Sequence, residues 1–328
     1  MRCTLQVFLY VGLSIVPSAA QVTSNLHLAK EISLAGVEGR LDHMTADISG
    51  GRLFVAALGN GTVEAVDVGK SSRVGTITKL QEPQGLTYVP ATKVLYVATG
   101  GDGTVRSYES GSLTLLHQLK LGEDADNLRY DSLRNLILAG YGKGELANLG
   151  LDLSRMGKTS LPAHPESFQL SADGTRVYVN LPSNLSLGVL DRGQAKLIER
   201  WKDLGGLSNY PLALDDVHHR LFVVCRLPAR LAVLDTKDGH KIAETGTVGD
   251  ADDIFYDATR KQIYVVGGEG YVDVVNISDE NKLQSIKHVP TSEGARTGFF
   301  VPEWNDLIIA APHRGPKKAR LLIYSLLP

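Results

Sequence analysis

The chain has 328 residues, of which 43% are apolar and 21% charged, and its formal net charge is −2. That balance excludes the basic footprint of a nucleic-acid binder and the charged, apolar-poor composition of a disordered chain. Two cysteines, Cys3 and Cys225, are too few for a fold built on disulfides.

In chain order, the first twenty residues read as a secretory signal. Arg2 gives a positive start, Thr4 to Val16 is almost wholly apolar, and Pro17-Ser18-Ala19-Ala20 ends in small residues, so cleavage is expected after Ala20. The apolar run falls short of the roughly 20 residues that span a bilayer, and no later run is long enough. Residues 21–328 are expected to form one exported domain, periplasmic or secreted, with Cys225 as its single thiol.

Leu26 to Leu34 reads as a lone strand. After it one phrase recurs seven times: Leu53-Phe54-Val55, Leu95-Tyr96-Val97, Leu136-Ile137-Leu138, Val177-Tyr178-Val179, Leu221-Phe222-Val223, Ile263-Tyr264-Val265 and Leu307-Ile308-Ile309. A spacing of roughly 41–44 residues suits four short strands with their turns, one blade of a β-propeller. The second unit shows the plan. Gly85 to Val89 reads as an inner strand, Pro90 to Lys93 as a turn, and Val94 to Ala98 as a strand buried on both faces. Gly100-Gly101-Asp102-Gly103 supplies positive φ for a reversal, Thr104 to Glu109 is the third strand, and Leu115 to Leu121 the outer one. Helix-period patterning is absent. The seventh unit ends after its third strand, Arg320 to Leu327, so the N-terminal strand is predicted to complete that blade and close the ring. The fold class is therefore all-β: a seven-bladed propeller of four-stranded blades.

The segments Val94 to Val105 and Val177-Tyr178-Val179-Asn180 resemble the YVTN-type repeat of exported YncE-like propellers. The likeness extends over residues 21–328 and departs at Leu136 to Tyr141 and Leu307 to Pro312. It implies a seven-bladed propeller working in the periplasm or outside the cell, and it implies no particular reaction.

In a propeller, the loops from each outer strand to the next inner strand share a face with the loops joining second to third strands. The first set holds Arg40, Asp42 and His43; Gln84; Asp124, Asp126 and Asn127; His164 and Glu166; Tyr210; Asp250, Asp252 and Asp253; and Arg296. The second set adds Arg226 and His313, with Asn60, Asp102, Tyr141, Lys143, Glu269 and Arg314. Four carboxylates, Asp42, Asp126, Glu166 and Asp252, occupy corresponding positions in four blades and are the candidate ligands of a divalent cation. His43 and His164 would extend that choice to transition metals, and Arg40 or Arg296 would pair with the carboxylates or grip an anionic ligand. The same side chains also suit a purely structural role, bonding loop amides at a wet channel mouth.

These residues point first to a module that binds a small molecule or a protein at the mouth, through Arg40, Asp42, His43, Asp126, Asn127, His164, Glu166, Tyr210, Arg226, Asp252, Asp253, Arg296 and His313. The alternative is a metal-dependent hydrolase of lactonase type, with His43, His164 and Glu166 as candidate catalytic groups. A redox propeller is a third reading, and the chain carries no covalent cofactor motif for it.

Overall fold

The computed structural model describes residues 26–326; the signal sequence lies outside the described residues. Seven antiparallel sheets of four strands follow one another along the chain. The first six blades take residues 44–77, 83–120, 125–160, 168–201, 207–246 and 251–290. The seventh combines residues 298–326 with Leu26–Ser33, which lies outermost and pairs with Arg320–Leu326, from Leu26 against Leu326 to Ser33 against Arg320. That pairing fastens the first strand to the last and leaves the ring without a seam.

The repeated phrase is the second strand, and its alternation explains the packing. Leu53, Val55 and Ala57 point into the cluster between blades seven and one, while Phe54 and Ala56 point into the cluster between blades one and two. Each of the seven blade junctions holds one such cluster. Both faces of these strands are dry, which is why the phrase has no polar side. Truncating a buried ring such as Phe54 or Phe222 would cost about 3–5 kcal/mol. Two tyrosines in the phrase tie blades together: Tyr96 donates its hydroxyl to the Leu151 carbonyl at 2.7 Å, and Tyr178 to that of Thr236 at 3.3 Å.

The structure revises two local readings. Second strands begin at Arg52, Val94, Leu136, Arg176, Arg220, Gln262 and Asp306, so the phrase in blade three is Ile137-Leu138-Ala139, one residue later than expected. Ile, Leu and Ala satisfy the apolar pattern in either register, and strand pairing of Asp131 with Leu136 decides it. In the Gly100-Gly101-Asp102-Gly103 reversal, only Gly103 adopts positive φ, at 60°. Gly100 is there for space instead, since a Cβ on it would lie 2.1 Å from Nε2 of Gln84. Cys225 is buried with its thiol 3.3 Å from the Leu204 carbonyl, and burial pushes its pKa up to about 11, which leaves it an unreactive core residue. Among the described residues no helix is long and apolar enough to cross a membrane.

Candidate functional site

Counting back ten residues from the start of each second strand gives Asp42, Gln84, Asp126, Glu166, Tyr210, Asp252 and Arg296. This position lies near the start of each inner strand, from two residues before it to its fourth residue, where the chain turns into the channel mouth. Six of the seven side chains line one cavity of about 210 Å³. Arg40, Asp124 and His164, each twelve residues ahead of its second strand, line it as well, together with His43 and Arg226. The seventh member, Arg296, turns aside to Asp250 at 2.8 Å. Arg40 takes the vacated place, with Nη2 3.0 Å from Asp42 and 3.3 Å from Asp252.

On the side formed by blades five, six, seven and one, cations face the carboxylates closely. Arg226 lies with Nη2 2.5 Å from Asp252, donates Nε–H to the Ala251 carbonyl at 2.8 Å, and stacks its guanidinium 4.1 Å from the centre of the Tyr210 ring. His43 sits between Asp253, 3.5 Å from Nδ1, and Asp42, 3.7 Å from Nε2. Burial opposes charge on His43, but these two carboxylates outweigh it and lift the pKa to about 10, so the ring is an imidazolium at neutral pH. Asp42 is 1% exposed; burial raises its pKa to about 6 against the pull of His43 and Arg40. Its oxygens accept no hydrogen bond, because Arg40 lies close but off the hydrogen-bonding direction. Burial likewise raises Asp252.

On the side formed by blades three and four, Asp126, His164 and Glu166 each offer one atom, and the three atoms lie within 4.8 Å of one another. Nε2 of His164 is 3.7 Å from Asp126, while Nδ1 is 2.6 Å from the Gly142 carbonyl, which only an Nδ1–H donor can satisfy. Burial and then the neighbouring Asp126 hold Glu166 well above the usual carboxylate range. Burial opposes charge on His164, but Asp126 and the Gly142 carbonyl raise it above an ordinary imidazole. Among the described residues, no lysine or arginine comes within 4 Å of Asp126 or Glu166.

Four expected residues stand apart from the cavity. Asn127 is buried beside Arg129, and Asp253 lies behind His43, accepting the Gly298 N–H at 2.9 Å. Arg296 and His313 line a neighbouring surface hollow with Arg314, where His313 pairs with Glu38. Asp102 holds its own reversal, bonding Thr99, Thr104 and Arg106, whereas Glu269 accepts the N–H of Gly249 in the loop that leads into blade six.

Arg129 sits on an inner strand, outside the loops to which the sequence pointed. It caps Phe168 at 5.4 Å, donates to the Leu128 carbonyl at 2.8 Å, and among the described residues has no carboxylate within ion-pair distance; burial lowers its pKa. A signal existed. The equivalent residues of the other blades are Thr45, Thr87, Gln169, Ala213, Phe255 and Phe299, so Arg129 is the single charge at that level of the channel.

No family model and no curated protein matches the chain. Among solved structures it is similar to Kuenenia stuttgartiensis hydrazine synthase, with 14% identity, a TM-score of 0.72, and coverage of 85% of this chain and 96% of that one. It is also similar to a chain of a mitotic checkpoint complex, with 12% identity, a TM-score of 0.77 and 99% of both chains covered. At such identities the likeness shows the seven-bladed propeller and nothing about the mouth.

Proposed function

We propose that the protein is an exported binding module of the YVTN-repeat type, periplasmic or secreted, that takes a small, charged ligand at the mouth of its channel. The observation that carries the reading is the cavity wall: six of seven ring positions, from six different blades, meet there as polar side chains, and one of them, Asp42, is buried with no hydrogen bond. A buried carboxylate left in that state is costly unless something else satisfies it. Size limits the guest. Ligand pockets usually hold about 300–1,000 Å³, whereas this one holds about 210 Å³, the share of roughly seven water molecules. An ion with its waters fits, as does a compact metabolite; a peptide segment does not. Both signs of charge line the wall, with Arg40 and Arg226 facing Asp126 and Glu166 across it, which favours a ligand carrying a cationic end and an anionic or hydroxylated end.

The export part of the reading rests on Arg2, the apolar run and Pro17-Ser18-Ala19-Ala20. Mass spectrometry of the protein recovered from a secreting host tests it, and a mature chain starting at Gln21 is expected. The binding part is tested by thermal melts against a panel of small zwitterions, hydroxy acids and polyamines. A compound that raises the melting temperature of the wild type, and not of Asp42→Asn or Arg226→Met, is the expected result. Indifference to every class would remove the reading.

A metal-dependent hydrolase is the second reading, favoured by the grouping of Asp126, His164 and Glu166. Turnover of simple lactones or esters that disappears with a chelator would promote it over the binder.

A further inference from the structure

We propose that Asp126, His164 and Glu166 bind one divalent first-row transition ion, of the zinc or manganese kind, at the channel mouth. The inference rests on the mouth being the ligand site and names the anchor by which a ligand is held there.

The donor set comes first. One imidazole nitrogen and two carboxylate oxygens from adjacent blades suit a transition ion better than calcium or magnesium, whose sites are built from oxygen. Geometry agrees. Donors arranged tetrahedrally about an ion at about 2.1 Å lie about 3.4 Å apart; Nε2 of His164 and Asp126 are already at 3.7 Å, and all three donors fall within 4.8 Å. Closing on an ion shortens the widest separation by no more than about 1.4 Å, within the reach of side-chain rotation.

The second shell is an independent observation. Metal-binding histidines characteristically donate their other ring N–H to a carbonyl or carboxylate, which fixes the tautomer and aims the lone pair. His164 does this with the Gly142 carbonyl at 2.6 Å, and Asp124 stands 3.6 Å from the same nitrogen. The remaining Nε2 therefore faces Asp126. A third observation is Asp42, which is 1% exposed, lines the same cavity and accepts no hydrogen bond with either oxygen. Water molecules completing the coordination of an ion are donors of the kind such a carboxylate lacks. The other pair of ring carboxylates cannot serve as ligands in the same way, since Arg226 and Arg40 hold Asp252, and Arg40 and His43 face Asp42.

The test is calorimetric titration of the full mature chain, first stripped with a chelator, with Zn²⁺ and with Mn²⁺. Wild type, His164→Gln, Glu166→Gln and, as a control, the exposed Asp203→Asn are compared, with circular dichroism to verify that each folds. One equivalent per chain is expected, with affinity lowered at least tenfold in both mouth variants, unchanged in the control, and not abolished by excess Ca²⁺. Co²⁺ substitution should give visible absorption bands that vanish in His164→Gln, a readout that does not depend on affinity. No saturable binding would overturn the proposal, as would one equivalent that survives both mouth substitutions or is displaced equally by Ca²⁺. Repeating the small-ligand melts in chelator separates the two readings. Ligand stabilisation that persists in a protein without metal affinity leaves the binding module standing and removes the metal.

Discussion

The two sides of the channel mouth present carboxylates from the same blade position in contrasting company. At Asp252 the charge meets Arg226 at 2.5 Å and Arg40 at 3.3 Å, and behind it Asp253 faces the imidazolium of His43. Among the described residues, the one basic group within 4 Å of Asp126 or Glu166 is His164, and the guanidinium groups act on them only from farther off. The first side is a closed ion network in which each charge has its counterpart. The second holds more acid than base, so its free energy depends on what enters the cavity. Equal position in the repeat does not mean equal role; the neighbours decide.

The sharpest way to break this contrast is to remove the cation that closes the first side. Arg226→Met keeps much of the stem while leaving Asp252 buried beside Asp250 and Asp253, and it deletes the stacking on Tyr210. Loss of one partner from a buried pair costs about 3–5 kcal/mol. The chemical denaturation midpoint should fall accordingly, and a change under about 1 kcal/mol would mean that the network is not what holds this side together.

A somewhat smaller effect is expected from pH. His43 is raised from 6.5 to about 10 in the folded protein, so its stabilising contribution is complete below about pH 6.5 and is lost as pH climbs through about 10. Asp42, raised from 3.8 to about 6, favours the folded state below about pH 4 and gives up that contribution as pH rises through about 6. Both act in the same direction. Stability should decline from pH 6.5 to 10 by an amount on the order of a few kcal/mol, and His43→Gln should flatten that decline. A wild-type curve already flat over this window would show that the histidine is not held as an imidazolium.

On the second side the sign reverses. Glu166→Gln removes a charge that burial and Asp126 both oppose, so in chelator and above about pH 8, where Glu166 is ionised, the variant should be more stable than wild type by about 1–2 kcal/mol, with little difference at lower pH. Destabilisation instead would mean that the Glu166 carboxylate has a structural partner, and the two sides would no longer differ in kind.

The fold and the ring were readable from sequence for the same reason: both are periodic. Strands buried on two faces must be apolar at every residue, which made the phrase visible, and a constant offset of ten residues carried Asp42, Asp126, Glu166 and Asp252 into one layer. The blade-three slip arose where Leu136-Ile137-Leu138-Ala139 satisfied the pattern twice over. What periodicity could not reveal was the division of the ring. Arg40 and Asp252 lie 212 residues apart in sequence and meet because the ring closes and Arg296 turns away. Arg129 was hidden for the opposite reason, as a charge on an inner strand where the pattern predicts neutral side chains. His313, chosen because its loop shares the right face, sits beyond the rim with Glu38, since membership of a face does not set a side chain's radial distance from the axis.

The smallest expected effect is also the most discriminating between Arg40 and Arg226, the two arginines that line the cavity on the closed side. Arg40 is 46% exposed, so its ion pairs with Asp42 and Asp252 are shared with solvent and are worth about 1 kcal/mol or less. Arg40→Ala should therefore barely move the denaturation midpoint, in contrast to Arg226→Met. Its consequence should appear in binding. Arg40 borders both the mouth cavity and the hollow lined by Arg296, His313 and Arg314, so its removal joins the two spaces and withdraws positive charge from beside Asp42. A cation held at Asp126, His164 and Glu166 should then bind somewhat more tightly, about twofold to fivefold for a charge acting through a largely solvated path. Titration at two salt concentrations checks this, since the gain should shrink as ionic strength rises. A large loss of stability in Arg40→Ala would instead make it part of the lock, and closure of the first side would then depend on both guanidinium groups rather than on Arg226 alone.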